Sequence, residues 1–332
     1  MDAAGRGSLV CRGKIQYDGE KEMRGTVMKK TIHVPGFIIG TAENREARTG
    51  VSVIIAKDGA AAGVEVRGCA PGTRETDLLR PEKTVDAIHA VVLAGGSAFG
   101  LEAACGVMEY LEEKGIGFDV GVAKVPIVCS AVLFDLAVGD PSVRPDKAMG
   151  RQAAEKSGAA IETGSIGAGC GATVGKLKGF DRAMKSGAGY AETVLESGLA
   201  VGAYVCVNAC GEVYEGDRVL AGVRAEDGRS IVSSHELMMN GYERILGGNT
   251  TIGCILTNAK LTKAQCRLVC GTAHNGYALA IRPVHTSMDG DTVFTMASGQ
   301  IEAPIDTVCY LAQEMMRQAI VNAVKSVQET EA

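Results

Sequence analysis

The segment Gly247-Gly-Asn-Thr-Thr-Ile-Gly-Cys-Ile-Leu-Thr-Asn258 runs from a glycine-loosened polar turn straight into an apolar stretch. A threonine at such a junction has an ordinary reading, as the first residue of a strand, and a chemical one. If the turn strains the Asn249–Thr250 peptide, the Thr250 hydroxyl can attack the preceding carbonyl and form an ester that water releases. Thr250 is then a chain terminus. Its hydroxyl is a nucleophile, and its own α-amine, with an unperturbed pKa of about 7.7–8.0, is an adjacent general base.

A second group lies in His285-Thr-Ser-Met-Asp-Gly-Asp-Thr-Val-Phe294. Asp289 and Asp291 are two apart, so on an extended segment both point to one face, and Gly290 permits a turn between them. Two neighbouring carboxylates raise one pKa and can hold a protonated amine or a hydroxyl. An exposed Asp-Gly-Asp hairpin or a calcium-type loop has the same spacing. The apolar Val293-Phe-Thr-Met-Ala297 that follows favours aspartates at the end of a core strand.

The densest glycine run is Gly164-Ser-Ile-Gly-Ala-Gly-Cys-Gly-Ala-Thr-Val-Gly-Lys176. A phosphate loop would need glycine where Cys170 stands and Ser or Thr where Leu177 stands. A dinucleotide fingerprint would need a buried strand before it, and Ile161-Glu-Thr-Gly164 is too short and polar. A loop that lets backbone and one lysine approach a small substrate is the better reading. A non-catalytic nucleotide-binding protein, in which Thr250 never reacts, is the rival from another class.

The elements around these groups alternate. Val51–Ala56 and Ala90–Ala94 read as buried strands, β-branched and too short for helices. Gly95-Gly-Ser-Ala-Phe-Gly-Leu101 follows the second, and then Leu101, Ala104, Cys105, Met108 and Leu111 recur at helical spacing. Leu199–Asn208 and Ile252–Thr257 are further strands. One helix starts after Thr262, and another runs from about Pro304 to Val327 with proline in its first turn. Mixed strands and helices without a Ser/Pro-rich linker predict one layered α/β domain over residues 32–332. Residues 1–31, polar and with internal Met23 and Met28, read as a loose N-terminal arm.

Composition narrows the classes. The chain has 332 residues, 46% hydrophobic, with 44 glycines and a net charge of −5, which excludes disorder and gives no basic footprint for nucleic acid. Zero Trp and 4% aromatics argue against base-stacking platforms. The eleven cysteines are dispersed through apolar runs, as buried thiols in a reducing compartment are. With the five histidines they make no zinc-ligand pattern, so neither metal nor cofactor is expected. No basic-then-apolar leader opens the chain and no apolar run reaches about 18 residues, so a cytoplasmic protein is expected.

Together these residues resemble a known family. It comprises the self-processing aminopeptidases and amidases that include L-aminopeptidase/D-esterase (DmpA), the β-aminopeptidases and the 6-aminohexanoate-oligomer (nylon oligomer) endohydrolases. The resemblance covers about residues 32–325. It is carried by Val34-Pro-Gly-Phe-Ile-Ile-Gly40, Ala47-Arg-Thr-Gly-Val51, Gly95-Gly-Ser-Ala-Phe-Gly-Leu101, Val125-Pro-Ile-Val128, Phe134-Asp-Leu136, the loop ending at Lys176, Val207-Asn208, Asn249-Thr-Thr251 and Asp289-Gly-Asp-Thr-Val-Phe294. Each is weak alone and the set is specific.

The resemblance implies a four-layer αββα sandwich, similar to the N-terminal-nucleophile hydrolases but topologically distinct. It implies a cut between Asn249 and Thr250, with chains 1–249 and 250–332 staying associated, as tetramers in relatives. Thr250 is the implied nucleophile. Asn208 would help hold it and the oxyanion, Lys176 would stand beside it, and Asp289 with Asp291 would match the Asp-x-Asp of the nylon-oligomer branch. Gly95, Gly96, Ser97 and Phe134 would border the substrate, a small amide or short peptide. Some relatives carry tyrosine where this chain has Phe134. Self-processing ornithine acetyltransferases use a similar threonine logic, but their surrounding motif is missing here.

Overall fold

The structure is a computed structural model that describes residues 27–241 and 248–331. Most of the expected arm, residues 1–26, and Gly247 of the predicted turn lie outside the described residues.

The principal strands are β1 Val27–Thr31, β2 Ile38–Asn44, β3 Thr49–Val66, β4 Ile88–Ala94, β5 Val128–Val132, β6 Ala160–Gly164, β7 Ala188–Val194, β8 Ala200–Asn208, β9 Thr250–Ala259 and β10 Thr292–Ile301. One sheet runs β1-β6-β7-β8-β9-β10 and then the second half of β3; the other holds β2, the first half of β3, β4 and β5. Residues 27–31, expected in the arm, therefore form an edge strand that pairs with Ala160–Gly164.

β3 is the hinge of the design. Its first half pairs with β2 and β4, and its second half with β10. In between, the register shifts between Ile55 and Ala60, Lys57 and Asp58 turn to solvent, and Gly59 takes a φ of 78°. The bulge carries the strand from one sheet into the other. Lys57-Asp-Gly59 reads in sequence as the end of a strand, which is why Val51–Ala56 was the expected length.

Strand alternation divides the interior into three layers of packing. On β8, Val201, Ala203, Val205 and Val207 face Val269, Cys270, Ala273 and Tyr277 of α4 Lys263–Ala280 and Met316 and Ile320 of α5 Ile305–Glu331. The intervening Tyr204 and Cys206 face Ile54, Val91, Leu93 and Phe294 between the sheets. Beyond the second sheet, Val51, Val53, Ile55 and Val92 pack on Val107 and Leu111 of α1 Ala103–Glu113 and Ala153 and Ala154 of α2 Lys147–Glu155. The result is the four-layer αββα sandwich.

Each fully buried Val, Leu or Ile contributes about 1.5–3 kcal/mol. A strand buried on both faces therefore has little room for polar side chains, and Asn208, fully buried at the end of β8, stands out against its own strand.

The helices start where their caps put them. Thr262 and Gln265 close a capping box on α4. Thr307 and Val308 donate their N–H groups to the Pro304 carbonyl, so the proline stands just before α5 and not inside its first turn. α1 and α2 cross closely because Gly106 and Gly150 face each other's backbone: an added Cβ would come within 1.8 Å of the Lys147 oxygen and 1.9 Å of the Ala103 oxygen. Among the described residues no helix is long and apolar enough to cross a membrane.

Candidate active site

The parallel neighbour of β9 is β10, with Ile252 opposite Thr292. The segment leading into β10 therefore lies beside the segment leading into β9. There Asn249 and Asp289 form a parallel bridge, and the 285–290 turn wraps the Asn249–Thr250 peptide. Asn249 donates its N–H to the Met288 oxygen at 3.3 Å, and Gly290 donates its N–H to the Asn249 oxygen at 2.9 Å. The Thr250 hydroxyl donates to that same carbonyl oxygen. One carbonyl thus carries a polarising N–H and the hydroxyl of the next residue.

Two glycines are required by contact here. A Cβ on Gly290 would stand 2.9 Å from Thr250 Oγ1 and 2.7 Å from the Ala70 oxygen. A Cβ on Gly248 would stand 2.4 Å from Phe134 Cβ. Turn and strand close on each other only because these positions lack side chains.

Across the other edge of β9, Asn208 is the antiparallel partner of Thr250. Its amide is held through both the oxygen and the nitrogen, with one of the two Nδ2 N–H donors used. Oδ1 accepts from Lys176 Nζ at 2.7 Å and from the Thr173 N–H at 3.0 Å, while Nδ2 donates to the Phe134 oxygen at 2.8 Å. Lys176 also donates to the Asn208 carbonyl at 2.8 Å. The glycine run is thus spent on delivering Thr173 and Lys176 to Asn208. The Lys176 side chain is pinned from both ends, since its own N–H donates to the Cys210 oxygen at 2.9 Å.

Electrostatics follow from burial. Lys176 is 4% exposed, and loss of water pushes its pKa down to about 7, against the opposing pull of Cys210, Asp289, Asp135 and Asp291. Near neutral pH the lysine is therefore divided between its neutral and charged forms. Asp289 is shifted upward, first by burial and then by the Asp291 charge. Its Oδ2 accepts the Thr286 N–H at 2.6 Å, and its buried Oδ1 has no hydrogen-bond partner among the described residues.

Asp291, equally buried, has partners on both oxygens. Oδ1 accepts the Thr251 N–H at 2.7 Å, and Oδ2 faces His285 Nδ1 at 2.8 Å. One carboxylate is tied down and the other keeps an oxygen in reserve. That division suits Asp291 to positioning and Asp289 to taking a proton.

The structure thus brings Thr250, Asn208, Lys176, Asp289, Asp291 and Phe134 together. Gly95, Gly96 and Ser97 have different contacts. The Gly96 N–H donates to Asp135 Oδ1 at 2.7 Å, the Ser97 N–H donates to the Leu133 oxygen at 2.9 Å, and Gly95 leaves room for Asp135 Oδ2. Asp135 is buried, and burial raises its pKa. These residues brace the segment that carries Phe134.

Three parts of this arrangement have no counterpart among the candidate residues from sequence. Asp135 is a carboxylate inside an apolar run, which is a detectable signal. His285 sits in the quoted motif. The Gly290 N–H is a backbone group whose role depends on the β9–β10 register.

A family model described as peptidase family S58 matches residues 30–332. The chain belongs to peptidase family S58. As an S58 member it is a hydrolase of amide bonds on an N-terminal-nucleophile type of fold.

Among relatives of this S58 peptidase, an uncharacterized aminopeptidase of Mycobacterium tuberculosis is 42% identical over 77% of this chain and 75% of its own length. The 6-aminohexanoate-oligomer endohydrolase of Agromyces sp. is 34% identical over 81% of this chain and 75% of its own. In three dimensions the S58 peptidase is similar to the L-aminopeptidase D-Ala-esterase/amidase of Ochrobactrum anthropi. The TM-score is 0.67 at 18% identity, covering 94% of this chain and 89% of that one. A Burkholderia sp. beta-aminopeptidase gives 0.64 at 20% identity over the same shares.

Proposed function

We propose that this S58 peptidase cuts its own Asn249–Thr250 bond and then, as an associated pair of chains 1–249 and 250–332, hydrolyses short linear amides or peptides through an acyl-enzyme on Thr250. What carries the reading is the carbonyl of Asn249. Its oxygen accepts both the Thr250 hydroxyl and the Gly290 N–H.

In maturation the Thr250 oxygen bonds to the Asn249 carbonyl carbon while its proton passes to the Asp289 carboxylate. The Gly290 N–H holds the oxygen that becomes negative. The carbon–nitrogen bond breaks as Asp289 passes that proton to the Thr250 nitrogen, and water hydrolyses the resulting ester. In turnover the new Thr250 amine takes the hydroxyl proton, and the hydroxyl attacks the substrate carbonyl. The proton is passed on to the leaving amine, and water then releases the acid from Thr250. Asn208 stabilises the oxyanion, and Lys176, Asp289 and Asp291 set the charge of the amine.

The named activities of the two relatives, oligomer endohydrolase and aminopeptidase, support linear 6-aminohexanoate amides and peptides as the substrates to try first. Phe134 borders the substrate, and Gly95, Gly96 and Ser97 act by holding it in place. All ten cysteines among the described residues are free, which supports a cytoplasmic enzyme. Exposed Leu268, Leu279 and Tyr310 supply apolar surface for a tetramer of cleaved pairs.

Intact-mass analysis during turnover of a slow ester or anilide substrate tests the proposal. The expected result is a transient acyl adduct on the 250–332 chain. Turnover undiminished in Thr250→Ala would refute it.

A further inference from the structure

A cleft of about 310 Å³ opens beside the site, and its floor includes Thr173, the residue whose N–H holds Asn208 Oδ1. Its apolar wall is formed by Phe180 with Val138. Phe180 links the wall to the reaction centre: its ring lies 6.0 Å from that of Phe134, and Lys176 Nζ lies 5.6 Å from its centre. The lining is basic. Among the described residues Arg48, Lys185 and Arg224 line it against the one carboxylate of Asp181.

The Arg224 side chain is anchored, and Arg48, whose side chain is exposed, is fixed at its backbone. Arg48 has a left-handed φ of 51°, unusual for a residue with a Cβ, and its carbonyl is packed so tightly under Gly171 that a Cβ there would come within 2.0 Å. Arg224 is anchored by Nη2 donating to the Ala183 oxygen at 2.9 Å, which occupies one of its five N–H donors. The cleft thus pairs an apolar run with two guanidinium groups suited to a carboxylate.

We propose that this cleft is a subsite for substrates that end in a carboxylate. The aliphatic chain of the leaving group lies over Phe180 and Val138, and its terminal carboxylate is taken by Arg48 and Arg224, with Lys185 adding charge. The assignment rests on the hydrolase reading for the direction in which substrate lies. It makes the preferred class the free acids of short oligoamides or peptides, in preference to their terminal amides or esters.

The test titrates the full-length Thr250→Ala chain with hexanoate, hexanamide and inorganic phosphate, followed by calorimetry and NMR. Saturable hexanoate binding is expected, with hexanamide weaker by roughly tenfold or more, equivalent to about 1.4 kcal/mol. Arg48→Gln combined with Arg224→Gln should weaken hexanoate by a similar factor, and the paired lysine substitutions should restore part of it. Thermal melting establishes that these variants are folded. Equal binding of hexanoate and hexanamide, no binding of either, hexanoate binding untouched in the glutamine variant, or tighter binding of phosphate than of hexanoate would each overturn the proposal. Failure of the wild-type chain to cut itself would overturn the hydrolase reading instead, and is read on a different assay.

Discussion

Asn208 and Thr250 are paired across the antiparallel β8–β9 ladder, the last residue of one strand opposite the first residue of the other. Both strands are buried throughout, so their apolar residues fix the register that sets the hydroxyl opposite the amide. The proposed catalytic geometry is thereby anchored in the core, and the bond proposed to be cut is the one that enters the strand at Thr250.

Replacing Asn208 with Ala removes the acceptor shared by Lys176 Nζ and the Thr173 N–H. A buried donor left unpaired costs about 1–3 kcal/mol, and loss of one oxyanion donor costs roughly 10²–10³ in kcat. Urea unfolding and turnover should both register the change. Loss of turnover at unchanged stability would contradict the buried network.

The two aspartates should separate. Asp289→Asn is expected to slow self-cutting by roughly 10²–10⁴, the usual worth of a general base, with thermal stability kept. Asp291→Asn disturbs the contacts to Thr251 and His285 and should lower stability as well. Because Asp289 is shifted upward, self-cutting in the wild type should fall off on acidification before ordinary carboxylates titrate. Time courses across pH and melting curves distinguish the two, and identical behaviour would contradict the division of roles.

Lys176 makes stability depend on pH. Its ordinary pKa of 10.5 falls to about 7 in the folded chain, so between those values the unfolded chain holds a proton that the folded chain has lost. Stability therefore rises with pH across this window, by up to about 1.4 kcal/mol per pH unit from this group. Urea unfolding at pH 7.5 and 9.5 in a Thr250→Ala background should show the rise, and Lys176→Met should remove it. An unchanged slope in Lys176→Met would contradict the assignment.

Gly290→Ala places a methyl group against Thr250 Oγ1. Displacing the hydroxyl by an ångström should slow self-cutting by roughly 10²-fold. Circular dichroism should show the sandwich intact. Wild-type cutting by Gly290→Ala would mean that the turn relaxes before reaction.

Much of the site was legible because its polar residues sit where apolar strands begin or end. Thr250 and the Asp289/Asp291 pair are of this kind, while Asn208, the last residue of a predicted strand, was reached only through the family resemblance. Lys176 was visible through the glycine run before it. Less legible was whatever depends on pairing. Residues 27–31 join the sheet by backbone hydrogen bonds to 160–164, which leave no apolar signature in Val-Met-Lys-Lys-Thr. β3 continues past Lys57-Asp-Gly59 because a bulge absorbs the polar residues. The contacts of Gly95 to Ser97 with the 133–135 segment, and the meeting of Arg48, Lys185 and Arg224, join distant segments that only the fold brings together.

The most direct test of the account is the covalent state of the chain itself. Purified wild-type and Thr250→Ala proteins are run on denaturing gels, and the smaller wild-type fragment is sequenced from its N-terminus. Two wild-type chains, the smaller beginning Thr250-Thr-Ile-Gly253, and one intact Thr250→Ala chain are the predicted result. A wild-type protein that remains a single chain under every pH and temperature at which it hydrolyses amides would contradict it.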